Sequence, residues 1–151
     1  MSLEFRLITL QELRALEAGM LQAHFEEGST YREEAPLNVD WAGYEQHERR
    51  GTCLTVGAFD GPRLVGYSGV ARVPDLFYSS IVSGVLQLIY LKPAYRKGMN
   101  GFRLLRYMMR LAKALGCNQF TVSVSRGRKR EAQWIASLGF KHRELVFTKS
   151  L

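Results

Sequence analysis

Tyr95-Arg96-Lys97-Gly98-Met99-Asn100-Gly101 is the stretch that decides how this chain reads. Upstream, Val85 to Leu91 is an apolar, strand-like run closed by Lys92-Pro93. Downstream, Phe102 to Leu115 repeats apolar residues at helical spacing. A strand, a basic glycine-containing loop and a helix make a local holder for a diphosphate. Backbone N–H groups at the helix start point at the anion, and the helix dipole favours negative charge there. Glycine lets the backbone approach closely, and Arg96 and Lys97 add positive charge. Two other phosphate loops are excluded. There is no Gly-x-x-x-x-Gly-Lys-Ser/Thr run, and only Gly98-x-x-Gly101 stands where a dinucleotide fingerprint needs a third glycine. The remaining alternative is an ordinary strand-to-helix turn.

Working outward, Leu3 to Ile8 alternates as a strand, and Thr9 with Glu12 forms a capping box. The helix it opens carries Leu10, Leu13, Leu16, Met20, Leu21 and Phe25 and stops at Gly28. Ser29 to Asn38 is a polar loop. Asp40 caps a second helix, Trp41 to Arg50. Thr52–Phe59 and Arg63–Val73 are strands joined at Asp60-Gly61. Pro74–Ser80 is a loop exposing Phe77 and Tyr78, and Ser83–Leu91 is the fourth strand. After the loop and its helix come a strand at Gln119–Ser125, a helix at Arg130–Leu138 and a last strand at Phe140–Lys149. The order β-α-α-β-β-β-α-β-α-β predicts an α/β fold over residues 1–151 as one domain. Its mixed sheet, antiparallel first and ending in a parallel strand-helix-strand unit, carries helices on both faces.

Composition narrows the partners. The chain has 151 residues, 46% of them hydrophobic, and a formal net charge of +7. That balance favours anions: cofactor phosphates, nucleic acid or acidic proteins. Arg103, Arg106, Arg110 and Lys113 recur along one helix, and Arg126, Arg128, Lys129 and Arg130 cluster in a loop. Both also read as solvated surface. No apolar run reaches the ~20 residues that span a bilayer, and the first residues lack a signal pattern. Cys53 and Cys117, like His24, His47 and His142, are scattered without metal-ligand spacing. The expectation is a cytoplasmic protein with neither a metal nor a disulfide framework.

Ile89-Tyr90-Leu91-Lys92-Pro93-Ala94-Tyr95-Arg96-Lys97-Gly98-Met99-Asn100-Gly101 resembles motif A of the GNAT N-acetyltransferases, roughly Leu-Tyr-Val-x-Pro-x-Tyr-Arg-Gly-x-Gly-x-Gly. The frame Tyr-x-x-Pro-x-Tyr-Arg and the last glycine match in register. Leu138-Gly139-Phe140 resembles the Gly-Phe phrase that closes such domains. The short ending Glu144–Lys149 is most similar to small members encoded in phages and prophages. The resemblance implies acetyl-CoA as co-substrate. Backbone groups of Ile89 and Leu91 would pair with its pantetheine arm, with Tyr90 between them in the same cofactor-binding stretch. Backbone N–H groups of Arg96, Lys97, Gly98, Met99, Asn100 and Gly101 would hold the diphosphate, with the side chains of Arg96 and Lys97 neutralising it. Arg128, Lys129 or Arg130 would reach the ribose phosphate.

The chain also departs from the family. Met99 stands where glycine is frequent. Gln87 stands at the position of the usual glutamate base, and no acidic residue occurs between Asp75 and Glu131. Ile135 stands where many members have a tyrosine. Glu33 and Glu34, in the loop between the first helices, are then the candidate bases, ahead of Tyr31, Tyr78 and Tyr90, with Gln87 able only to orient a water. Water as the proton carrier is a second possibility. The leading expectation is acetyl transfer from acetyl-CoA to a primary amine of a small molecule or protein. The rival is a weak or inactive GNAT-fold protein that binds nucleic acid or an acidic protein through its basic surface. Peptide, aminoglycoside and polyamine acceptors fit about equally, the polyamine being disfavoured by charge. Oligomeric state is unreadable.

Overall fold

The structure, a computed structural model, describes residues 2–151. One five-stranded sheet runs in chain order: β1 (Glu4–Ile8), β2 (Cys53–Asp60), β3 (Arg63–Pro74), β4 (Val82–Leu91) and β5 (Gln119–Thr121). Neighbours are antiparallel except β4 and β5, which are parallel. The helices are α1 (Leu10–Leu16), α2 (Met20–Gly28), α3 (Trp41–Arg49), α4 (Asn100–Ala114) and α5 (Lys129–Ser137). The expected caps form. Thr9 Oγ1 accepts from Glu12 N–H, Thr9 N–H donates to the Glu12 carboxylate, and Asp40 Oδ1 accepts from Gly43 N–H. No helix among the described residues is long and apolar enough to cross a membrane.

Each face of the sheet has its own core. Val56, Val65, Val70 and Leu91 pack with Leu104, Met108 and Ala112 of α4. On the other face Phe59, Leu64, Tyr67 and Tyr90 pack with Leu10, Leu13 and Met20 of α1 and α2. The i, i+4, i+8 spacing of Leu104, Met108 and Ala112 puts all three on one side of α4. That helix also comes very close to β4. A Cβ at Gly84 would stand 2.7 Å from Ala112 Cβ. Gly84→Val should therefore push α4 off the sheet and cost about 1–3 kcal/mol, measured as a lower urea midpoint.

Three expectations need correction. The single helix predicted from Leu10 to Gly28 is two, because Ala18 and Gly19 take φ of 44° and 83°. The fifth strand stops at Thr121 rather than Ser125, since its pairing with β4 ends at Val85. The last strand, predicted over Phe140–Lys149, does not form: residues 140–151 lie in no helix or strand and all but Phe140 are exposed. Its β-forming residues pair with no strand, although Phe140 packs on Phe120 of the edge strand β5.

Candidate active site

The site begins with an irregularity in β4. Val70 on β3 opposes Leu86, but Gly69 opposes Leu88, so Gln87 is an extra residue without a partner. One inserted residue reverses the facing of everything after it. Val82 and Leu86 lie with the α4 core, whereas Leu88 and Tyr90 lie with the α1–α2 core. A bulge also bends its strand. β5 pairs with Ser83, Gly84 and Val85 only. From Leu86 to Leu91, β4 therefore presents backbone N–H and C=O groups toward β5 with no strand to receive them. That is a template for an extended arm. Lys92 N–H donates to Val65 O, so in this register Leu88 and Tyr90 face β3, while Ile89 and Leu91 face the open side, where Leu91 O accepts from Arg96 Nε.

At the far end of this open edge the chain makes a single 3₁₀ turn, Pro93–Tyr95, and enters α4. Tyr95 Oη donates to Asp60 Oδ2 at 2.8 Å, tying the loop to the β2–β3 hairpin. Gly98 has φ of 64°, a conformation that glycine adopts without strain. No side chain caps α4. The first bond of its ladder runs from Arg103 N–H to Met99 O at 2.8 Å. The N–H groups of Asn100, Gly101 and Phe102 precede that bond and have no carbonyl within the helix. A Cβ at Gly101 would meet no atom within 4 Å. This is an open, uncapped helix start with positive potential, which suits an anion.

A cleft of about 430 Å³ lies beside the bulge on the α1–α3 face. Gln87, Leu88, Tyr67, Gly69, His24, Phe25, Trp41 and Tyr44 are among its walls. Only Gln87 among them was a candidate from the sequence, and two of the others, His24 and Tyr67, form a pair. His24 on α2 has Nδ1 2.9 Å from the Tyr67 hydroxyl, and its ring stacks on Tyr90 at 5.0 Å. Burial pushes the imidazole below its ordinary value. Glu27 pulls the other way, and the Arg96 and Arg128 cations add smaller pushes in the same direction as burial. Burial likewise raises the Tyr67 hydroxyl, with Tyr90 and Glu17 adding to it. Around neutral pH the pair is a phenol and a neutral imidazole, which can accept one proton. Forty-three residues separate them in sequence. The only local signal was a histidine on the apolar face of Met20, Leu21 and Phe25.

The other predicted residues fall unevenly. Gln87 lines the cleft with its side chain exposed. Glu33 and Glu34 do not: both sit on the exposed turn at residues 30–34, outside the cleft wall. Tyr31 and Tyr78 are also outside it and exposed, whereas Tyr90 is buried under His24. The expectation that Arg96 supplies both a backbone and a side-chain donor to the diphosphate needs correction. Its N–H donates to Pro93 O, its Nε to Leu91 O at 2.7 Å, and its Nη2 to Glu27. It clamps α2 to the end of β4 instead. Lys97, Gly98 and Met99 are exposed along the loop, and Asn100 Nδ2 donates to Tyr95 O. Arg128 lies against the C-terminal end of α2, where a Cβ at Gly28 would stand 3.2 Å from its Nη1. Lys129 and Arg130 are exposed on the first turn of α5.

A profile of the Acetyltransferase (GNAT) family matches residues 12–140. No curated protein matches. Among solved structures, an acetyltransferase of Trypanosoma brucei is 20% identical with a TM-score of 0.72, covering 99% of this chain and 100% of its own. An aminoglycoside acetyltransferase from an uncultured soil metagenomic sample is 16% identical with a TM-score of 0.76, covering 100% and 99%. AAC(6')-Iy, solved with the bisubstrate analog CoA-S-monomethyl-acetylneamine, is 15% identical with a TM-score of 0.70, covering 100% and 99%. At these identities the likeness is one of fold.

Proposed function

This chain belongs to the GNAT acetyltransferase family, whose members are acyl-CoA-dependent N-acyltransferases, and from that premise we propose that it moves acetyl from acetyl-CoA to a primary amine. The observation that carries the reading is one of adjacency. An unpaired strand edge leads to an uncapped helix start, and the cleft beside that edge holds a proton-accepting pair.

The parts divide the work as follows. The backbone of Leu86 to Leu91 receives the pantetheine arm as an added strand. The N–H groups from Lys97 to Phe102 receive the diphosphate, with Lys97 as a nearby exposed cation. An N–H along β4 supports the thioester oxygen as charge develops on it. Holding amine and thioester together supplies much of the rate, up to ~7–11 kcal/mol in the best intramolecular cases. The amine nitrogen bonds to the carbonyl carbon, and its proton passes to the His24–Tyr67 pair. The carbon–sulfur bond then breaks, and the departing thiolate takes up one proton. Gln87 orients the amine or a water but accepts no proton. The free thiols Cys53 and Cys117 suit a reducing compartment such as the cytoplasm.

The walls of the cleft also bear on the acceptor. They are largely apolar and aromatic, and Asp40, the one carboxylate among them, is engaged at the start of α3. A polycation such as an aminoglycoside or a polyamine would find little countercharge there. A monoamine with an apolar or aromatic body fits better. The test is thiol release from acetyl-CoA with phenethylamine, an aminoglycoside, spermidine and a lysine-containing peptide. Phenethylamine should give the highest kcat/KM. Release that is the same with and without every amine would contradict N-acetyl transfer.

A further inference from the structure

The side chains of the basic row on α4, Arg103, Arg106, Arg110 and Lys113, take no part in the site described above. Their spacing of i, i+3, i+7 and i+10 puts all four cations on one side of the helix, away from the Leu104, Met108 and Ala112 face that packs on the sheet. A solvated basic side is ordinarily laced with carboxylates three or four residues away. Here α4 holds none, and no acidic residue occurs between Asp75 and Glu131. The ion pairs among the described residues, Arg6–Glu12, Arg96–Glu27 and Arg128–Glu131, all lie elsewhere. Arg106 and Arg110 stand one turn apart, both exposed, and repel each other.

The row also borders a second cleft, of about 250 Å³, between α4 and β1. Its walls are Phe5, Arg103, Arg106, Tyr107 and Arg110. The rings of Phe5 and Tyr107 meet at 6.0 Å with their planes tilted by 58°. Arg103 is fixed in place: its Nη2 donates to Leu3 O at 3.1 Å, and its guanidinium lies 5.2 Å from the centroid of Phe5. The alternation of β1 keeps acid out of the cleft. Phe5 packs with the α4 core, so Glu4 and Arg6 face the other side, where Arg6 lies over Phe59. β1 and β5 are opposite edges of the sheet. This cleft is therefore remote from the open edge of β4, and it shares no residue with the cleft beside the bulge.

We propose that this cleft and the row beside it bind single-stranded nucleic acid, with phosphates on Arg106, Arg110 and Lys113 and a base against Phe5, Arg103 and Tyr107. Four cations with no carboxylate among them select a polyanion by charge. Lys113 carries the row past the cleft, to about 15 Å from Arg103 along the helix axis. That reach exceeds a single phosphate and suits a backbone of successive ones. The aromatic rings and the fixed guanidinium plane select nucleic acid over an acidic peptide, because bases stack on such surfaces and carboxylate side chains do not. Stacking of this kind needs unpaired bases, hence a single strand. The inference stands apart from the assignment of acetyl transfer, since it uses no side chain of the cofactor loop, the open β4 edge or the acceptor cleft.

The experiment is fluorescence polarisation of the full chain with a labelled oligo(U) of about ten nucleotides, over a range of salt concentrations, with and without acetyl-CoA. Four phosphate contacts predict a slope of log K against log salt of about −2.8. Arg106→Ala combined with Arg110→Ala should weaken binding roughly tenfold or more at low salt and bring the slope to about −1.4. Arg49→Ala combined with Arg50→Ala removes the same charge at the end of α3 and should change neither. All four side chains are exposed, so both double variants should keep their circular dichroism. Acetyl-CoA should not displace the strand. The proposal is overturned by an absence of binding at low salt, by equal losses in the two double variants, or by displacement with acetyl-CoA. An oligo-glutamate of matched charge that competes as well as unlabelled oligo(U) would overturn it too.

Discussion

Gly101→Val should weaken acetyl-CoA binding about a hundredfold and leave the fold unchanged. The added side chain meets no protein atom, since nothing lies within 4 Å of a Cβ there. Valine also costs less than glycine in a helix interior, so α4 should form at least as well. What the two methyl groups fill is the space in front of the N–H groups at the helix start. Hydrogen bonds to a charged group are worth about 1.5–3 kcal/mol each. Losing one or two of them gives the hundredfold effect, which is about 2.7 kcal/mol. Calorimetry on the variant reads the affinity, and far-ultraviolet circular dichroism reads the fold. Gly101→Ala should fall between parent and valine. Unchanged affinity in the valine variant would mean that the loop is only a turn.

His24→Gln should lower kcat by 10²- to 10³-fold, within the usual range for general acid–base catalysis. The imidazole is the only group in the cleft that is neutral and basic at pH 7: Tyr67 is held as a phenol, and Gln87 is an amide. Gln87→Ala should cost roughly tenfold, an orientation effect of ~1.4 kcal/mol. Glu33→Gln and Glu34→Gln should change little. Tyr67→Phe should lower kcat as well and shift the acidic limb of its pH profile, because the phenol is the imidazole's hydrogen-bond partner. Stability gives a second readout. The folded imidazole titrates below the unfolded value of 6.5. The unfolded chain therefore binds the proton first as pH falls, and protonation favours unfolding. Stability is full above 6.5 and declines as pH drops from there through the lower folded value. His24→Gln should flatten that part of the Tm-versus-pH curve.

The fold was legible where local chemistry and global packing agree. Thr9 and Glu12, Asp40, and the Asp60-Gly61 turn each fix a boundary through neighbours a few residues away. The periodic face of α4 and the glycine-bearing loop before it needed no distant information either. The bulge at Gln87 was not legible, because it is a property of how β3 and β4 register and leaves no mark in one strand's residues. The proton-accepting pair was hidden for the same reason: His24 and Tyr67 meet only once α2 packs over β3. Seeking a carboxylate base led instead to Glu33 and Glu34, which are near the cleft in sequence but outside its wall. The Arg96 clamp was misread because Glu27, its partner, lies 69 residues earlier. The unformed last strand is a different kind of miss. Glu144 to Lys149 has the composition of a strand, but composition makes no pairing by itself, and the segment is exposed and pairs with neither edge of the sheet.

The measurement that bears most directly on the central claim is calorimetric titration of the protein with acetyl-CoA at low and high salt. An open edge on β4 and an uncapped α4 start, acting on a charged diphosphate near the surface, predict a micromolar Kd. They also predict that affinity falls as salt screens the exposed loop. No heat and no thermal shift at millimolar acetyl-CoA would contradict the account, because neither the strand edge nor the helix start would then be serving the cofactor.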